Sequence, residues 1–383
     1  MHPYRLPAAL ISVLCASFSS ADITNITQGT THATIQEAID QAVDYDEIVV
    51  DPGVYFENYI DLQGKAITLR SQDPTDPDIV VSTVIDGGGG GTVMYCVLGE
   101  GPDTVVAGLV LTGGGDDGVG GMLVSSSSPT IRHCTFQANS GDTCGGLVLY
   151  SSSSEVAHCA FIDNTSALNA GGMLLHSCNA TVSNCFLARN SADLVGGGLH
   201  ISGVGSPTIA DCVFESNSAA SGGGVLVDNG SSPSFDNCVF QSNHANDDGG
   251  GVALKVECDS TMSDCTFRSN EAATGGGLFL LANCSAVLTD CVLANNIATF
   301  PGGGIYVDGD GTCTCALQTV TVCANLPDQI NGPYSDDGGI LISLYAPPPA
   351  EPTATCPEDI NGDGVVDQSD LGMLLAIYGQ SCP

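Results

Sequence analysis

The sequence predicts an all-β fold of stacked coils, and three observations carry that expectation. Cysteines recur at 134, 159, 185, 212, 238, 265 and 291, at intervals of 25 to 27 residues. Asparagine follows each by five positions, at 139, 164, 190, 217, 243, 270 and 296. Gly pairs or triplets share the period, from 120–121 and 145–146 to 275–277 and 302–304. A period of roughly 20–50 residues marks a stacked repeat architecture. Residues after the glycines alternate, as in Val225-Leu226-Val227 and Ile305-Tyr306-Val307, which signals short half-buried strands. No unit contains a sustained helical pattern. Three strands and three turns per unit make one coil of a parallel β-helix, with adjacent coils in register at about 4.8 Å.

The first element is the stretch MHPYRLPAALISVLCASFSSA. Arg5 precedes an apolar run from Leu6 to Phe18, and small residues follow at Ser19, Ser20 and Ala21. That layout predicts a secretory signal over residues 1–21, too short to span a bilayer. The expected product is soluble, exported and without a membrane span. Next, Ile35, Ala38, Ile39 and Ala42 fall on one helical face, predicting a helix over about 33–43 that covers the open end of the core. Two strands flank Pro52-Gly53 before the first regular coil.

Within the repeats, 22–345, the cysteine and phenylalanine columns are expected to point inward as apolar stacks. The asparagines are placed at a turn, where the residue tolerates a left-handed backbone and its amide can bond the asparagine above. Glycine is needed where a side chain would strike the next coil.

Composition excludes several partners. The formal charge is −36, and loss of Arg5 with the signal makes it one unit more negative. Nucleic acid and anionic lipid both require a basic footprint, so neither is an expected partner. The chain is nonetheless 43% hydrophobic and only 13% charged, which opposes disorder.

The segments TIQEAID, IVVDPGVY and GKAITLRS resemble the opening of right-handed parallel β-helix proteins of the pectin-lyase-like superfamily. The repeats also resemble polymorphic outer-membrane-protein units, with FESN followed by GGGV. The resemblance implies a right-handed coil and a fold shared by polysaccharide lyases, hydrolases, esterases and inactive surface proteins, so fold alone does not choose. The polygalacturonase set is missing: DD occurs at 116–117, 247–248 and 336–337 without its partner motifs. No pectin methylesterase trio can be matched. For a pectate-lyase-like base the repeats offer only Arg132, Arg189, Lys255 and Arg268.

In that superfamily's enzymes the outer face of the strand after the glycines hosts the cleft. On it, His176, His200, Asp228 and Lys255 are the catalytic candidates. Lys255 as base and Asp228 as cation ligand would suit calcium-assisted β-elimination. The plainer alternative is an exposed Asp228–Lys255 ion pair on adjacent coils. A second polar column, His133, His158, Asn184, Asp211, Asn237, Asp264 and Asp290, offers either a metal-binding ladder or a solvated one.

A proline-rich linker, 346–355, separates the repeats from a tail, 356–383. In the tail, Asp359, Asn361, Asp363, Asp367 and Asp370 occupy calcium-loop positions 1, 3, 5, 9 and 12. Gly364 supplies the turn and Val365 a carbonyl, so calcium is the expected cofactor. Leu371, Leu374, Leu375 and Tyr378 then share one side of a helix. The segment resembles half of a type I dockerin, and the resemblance implies a cohesin-like partner recognised through Gln368 and Ser369. Cys356 and Cys382 bracket this small unit in an oxidising compartment, which predicts a disulfide between them.

The expected protein is a secreted or surface-displayed, non-enzymatic β-helix that binds a polysaccharide or protein and docks through its calcium tail. The alternative is a carbohydrate-active enzyme, a calcium-dependent lyase or a hydrolase, recruited by the same tail.

Overall fold

Residues 22–115 and 118–344 are described by the structure, a computed structural model. The candidate signal, the linker and every tail residue named above, including Asp359 to Asp370, Gln368, Ser369, Cys356 and Cys382, lie outside the described residues.

One coil shows how the repeat folds. Thr208–Ala210, Val213–Glu215, Ser218–Ser221 and Val225–Asp228 are strands, each joined to its counterparts in the coils before and after. The chain thus builds four sheets where three were expected. Sheet A has 14 strands and runs from Thr30–His32 to Ser335–Asp336. Sheet B has 12, from Gly53–Phe56 to Leu341–Ser343, and sheet C has 11, from Ile60–Asp61 to Ile330–Asn331. The unforeseen sheet D, seven short strands from Ser140–Gly141 to Ile297–Ala298, precedes the glycines. Pairing is parallel apart from the opening, where Ile23–Asn25 runs antiparallel to Thr30–His32 and to Glu47–Val50.

Parallel register stacks like on like. Phe136 pairs with Phe161, and Phe214 with Phe240 and then Phe267. Their rings lie 4.7–5.0 Å apart, nearly coplanar in orientation, and all are fully buried. The seven periodic cysteines are buried beside them, as the spacing predicted, and all are free thiols. Each thiol donates to nearby carbonyls, as Cys212 does to Ala210 at 3.1 Å.

The asparagine ladder forms, but the left-handed residue is not the asparagine. Ala138, Asp163, Arg189, Ser216, Ser242, Ser269 and Asn295, one position earlier, have φ between 51° and 57°. Each asparagine is instead fully buried and donates its amide to the next, from Asn139 to Asn164 at 3.1 Å through Asn296 to Asn325 at 2.9 Å. Gln329 ends the row by accepting from Asn325 at 2.9 Å. Each asparagine amide donates twice, and from Asn164 onward each side-chain oxygen accepts twice, so burial leaves no orphan.

The column before the cysteines is the other corner. His133, His158, Asn184, Asp211, Asn237, Asp264 and Asp290 have φ of 49–54°. Asn, Asp and His are the side chains most tolerant of that conformation, which explains the column without a ligand. His133 and His158 stack face to face at 4.8 Å with 4° between planes. Ring nitrogens lie in the ring plane, so stacked rings cannot converge on one metal. Burial, then the neighbouring His158 and Arg132, lower the pKa of His133.

Glycine is demanded by the close approach of successive backbones. A Cβ on Gly197 would lie 2.4 Å from the Gly223 oxygen, and Gly222 adopts a φ of 64°. Helix α1, Ile35–Gln41, is somewhat shorter than the expected 33–43. Thr34 caps it by accepting from the Glu37 N–H at 3.0 Å, and the Glu37 carboxylate returns to the Ala33 N–H at 2.9 Å. Ile35, Ala38 and Ile39 are buried in the main core.

Candidate functional site

Alternation along sheet C points two columns away from the main core. Tyr150, His176, Ser202, Asp228, Lys255 and Leu281 stack in one, Val148, Leu174, His200, Leu226, Ala253, Phe279 and Tyr306 in the other. All four catalytic candidates therefore share one sheet face, from His176 to Lys255 over four successive strands. At the ordinary strand spacing that is a reach of about 14 Å.

The face is not open. The chain before each glycine run folds back across the second column, with isolated bridges stacking Val119 on Cys144 and Ala170, Val195 on Ser221, and Asp248 on Thr274. Two small apolar packets fill the space beneath. Val119, Cys144, Val148, Ala170 and Leu174 form one, and Leu226, Ala253 and Phe279 form the other. Burial pushes the Cys144 thiol up to about 12.

His200 sits between these packets, 5% exposed. Its Nε2 is 3.3 Å from Asp228 Oδ1, yet neither ring nitrogen has a hydrogen-bond partner among the described residues. The contact is one of proximity, off the direction a hydrogen bond needs. Asp228 instead accepts from the Asn229 amide at 2.8 Å. His176 is turned to Ser202, its Nδ1 3.1 Å from the hydroxyl, and meets the Tyr150 ring edge-on at 5.4 Å.

Lys255 corrects the sequence reading. It pairs not with Asp228, its neighbour in the column, but with Asp248 on the returning arm, Nζ to Oδ2 at 2.8 Å. Nζ also donates to Ser221 at 2.7 Å and lies 5.5 Å from the centre of the Phe279 ring. Asp248 and Ser221 were missed because register says nothing about an arm that crosses over a sheet. The available signal was position: each lies immediately before a Gly triplet.

The strip can hold a largely buried ion pair, a walled imidazole and a carboxylate, but among the described residues it forms no open trough. Two surface depressions among the described residues lie elsewhere. One, about 310 Å³, is lined by Pro102, Ser128, Thr130, Ser153, Glu155 and Thr181. The other, about 260 Å³, is lined by Ser191, Asp193, Ser218, His244 and Asn246 among others. No group of three or more His, Cys, Asp or Glu side chains among the described residues is arranged to hold a metal ion.

A family model described as the right handed beta helix region matches residues 95–187 and 190–321. The chain belongs to the right-handed β-helix family. No curated protein matches it. Among solved structures, ORF18 of Geobacillus virus E2 is similar at 14% identity, covering 81% of this chain and 56% of that one, with a TM-score of 0.40. The A-module of the Azotobacter vinelandii mannuronan C-5 epimerase AlgE6 is 15% identical, covers 82% and 94%, and scores 0.41. The PL6 family alginate lyase AlyGC is 13% identical, covers 80% and 51%, and scores 0.35. The β-helix thus spans about half the length of the viral protein and of the lyase.

Proposed function

We propose that this β-helix is a secreted or surface-displayed binding protein that engages a polysaccharide or protein without turning it over. Its tail binds calcium through Asp359, Asn361, Asp363, Val365, Asp367 and Asp370 and docks the molecule to a cohesin-like or cell-surface partner. Helix α1 closes the first end of the core. The observation that carries the non-enzymatic reading is the engagement of Lys255. Two of its three ammonium hydrogens go to Asp248 and Ser221, and Phe279 stands beside it. A general base must be free to take the proton it removes, and Lys255 is instead held as an ion-paired ammonium against the arm.

A second reading, a carbohydrate-active enzyme, is favoured by one feature: His200 and Asp228 meet at 3.3 Å with the imidazole otherwise unpartnered. A glycan-binding array and a turnover screen on the exported protein separate the two. The first reading expects binding with neither reducing ends nor unsaturated uronates released. Turnover lost in Lys255→Met or His200→Gln, with thermal unfolding unchanged, would establish the second.

A further inference from the structure

The last coil leaves the core open. Ile330, Asp336 and Ile342 pair with Ile305, Leu317 and Val322, three residues that are fully buried. They therefore occupy the inward positions of sheets C, A and B. Ile342 is nevertheless 44% exposed, and Asp336 is exposed as well. Leu326, Tyr334, Leu341 and Leu344 add exposed apolar surface nearby. The strands Ile330–Asn331, Ser335–Asp336 and Leu341–Ser343 each end a sheet, so among the described residues no strand lies beyond their outer N–H and C=O groups. At the opposite end, Ile35, Ala38 and Ile39 of α1 are buried in the same core.

We propose that this end is a docking surface for the chain's own C-terminal segment, residues 371–383, seated with Leu374, Leu375 and Tyr378 over Ile330, Ile340 and Ile342. Three observations favour this occupant. The described chain stops at Leu344, at this end, and 346–355 supplies a semi-rigid extended spacer of about 3.1 Å per residue, enough for the rest to return. The segment LGMLLAIYGQSCP has four apolar residues at helical spacing and no charged one. The rim of the open end carries Asp328, Asp336 and Asp337. A second copy stacked here would set those carboxylates against their duplicates, within a chain already at −36. An uncharged segment meets no such repulsion.

The inference is separate from the ligand and calcium readings, and its test leaves them standing. A benzophenone side chain is placed at Leu374 of the full chain, and photo-adducts are mapped by mass spectrometry. Hydrogen exchange at Leu341–Ser343 is compared between the native chain and Leu374→Asp/Leu375→Asp, with Val225–Asp228 as an internal reference for intact folding. The expected result is an intrachain adduct within 326–344 and exchange at 341–343 at least about tenfold faster in the variant, the reference unchanged. Adducts joining two chains, with a dimer in sedimentation, would assign the surface to a second copy and overturn the proposal. Adducts confined elsewhere, or unchanged exchange, would overturn it too. Calcium titration of the same variant reports on the loop independently.

Discussion

Asn243 offers the sharpest test of how the coils are held in register. Its Nδ2 donates to the Phe214 carbonyl at 2.8 Å and to Asn270 Oδ1 at 3.0 Å. Its Oδ1 accepts from the Asn217 backbone N–H at 3.0 Å and from Asn217 Nδ2 at 3.1 Å. Asn243→Leu keeps the branched heavy-atom shape but orphans two buried groups, the Asn217 N–H and one Asn217 amide hydrogen, and leaves the Phe214 oxygen with its ladder bond alone. Each orphan costs about 1–3 kcal/mol, so the variant should lose roughly 2–6 kcal/mol. Asn217→Leu creates the equivalent two, both on Asn190. The double variant orphans three groups rather than four, because the Asn217 amide is itself gone. It should therefore cost about 1–2 kcal/mol less than the sum of the single changes. Urea titration followed by circular dichroism measures the totals. Hydrogen exchange at the Asn217 amide reads the local loss even where a repeat array does not unfold in one step. Strict additivity, or single costs under about 1 kcal/mol, would show that apolar stacking alone sets the register.

Further outcomes follow from single sites. Lys255→Met breaks an ion pair that is about a quarter exposed on each side, so stability should fall by no more than about 1 kcal/mol in a denaturant titration. At the left-handed corner, Asp264→Gly should be tolerated, and Asp264→Val should cost about 1–2 kcal/mol in the same assay, since a β-branched residue resists a φ of 53°. The fifteen described thiols are buried, so an aromatic disulfide reagent should leave them unmodified in the native chain and modify them in urea. Burial tends to raise the pKa of Glu100, but N–H groups of Glu100 itself, Gly64 and Leu98 and the Ser127 hydroxyl lower it overall. Its stabilising share is then present above the unfolded value, near 4.3, and lost as pH falls through the lower folded value. Acid titrations should show Glu100→Gln losing that share of the pH dependence.

The period alone determined the coil, the inward cysteines and the bonded asparagines, because parallel in-register pairing turns a repeat in sequence into a column in space. The same logic put His176, His200, Asp228 and Lys255 on one face before any coordinates. Three things were illegible. Which corner residue is left-handed depends on the backbone path, and Ala138 or Arg189 announces nothing by type. Sheet D arises in short, mostly small or polar segments such as Ser191–Ala192 and His244–Asp248, whose strand character comes from the neighbouring coil. The partner of Lys255 was misassigned because Asp228 is its neighbour in register, while Asp248 reaches it only through an arm folded over the sheet. Periodicity encodes contacts between equivalent positions of successive coils. Contacts between different positions, which roof His200 and engage Lys255, exist only once the coil has closed on itself.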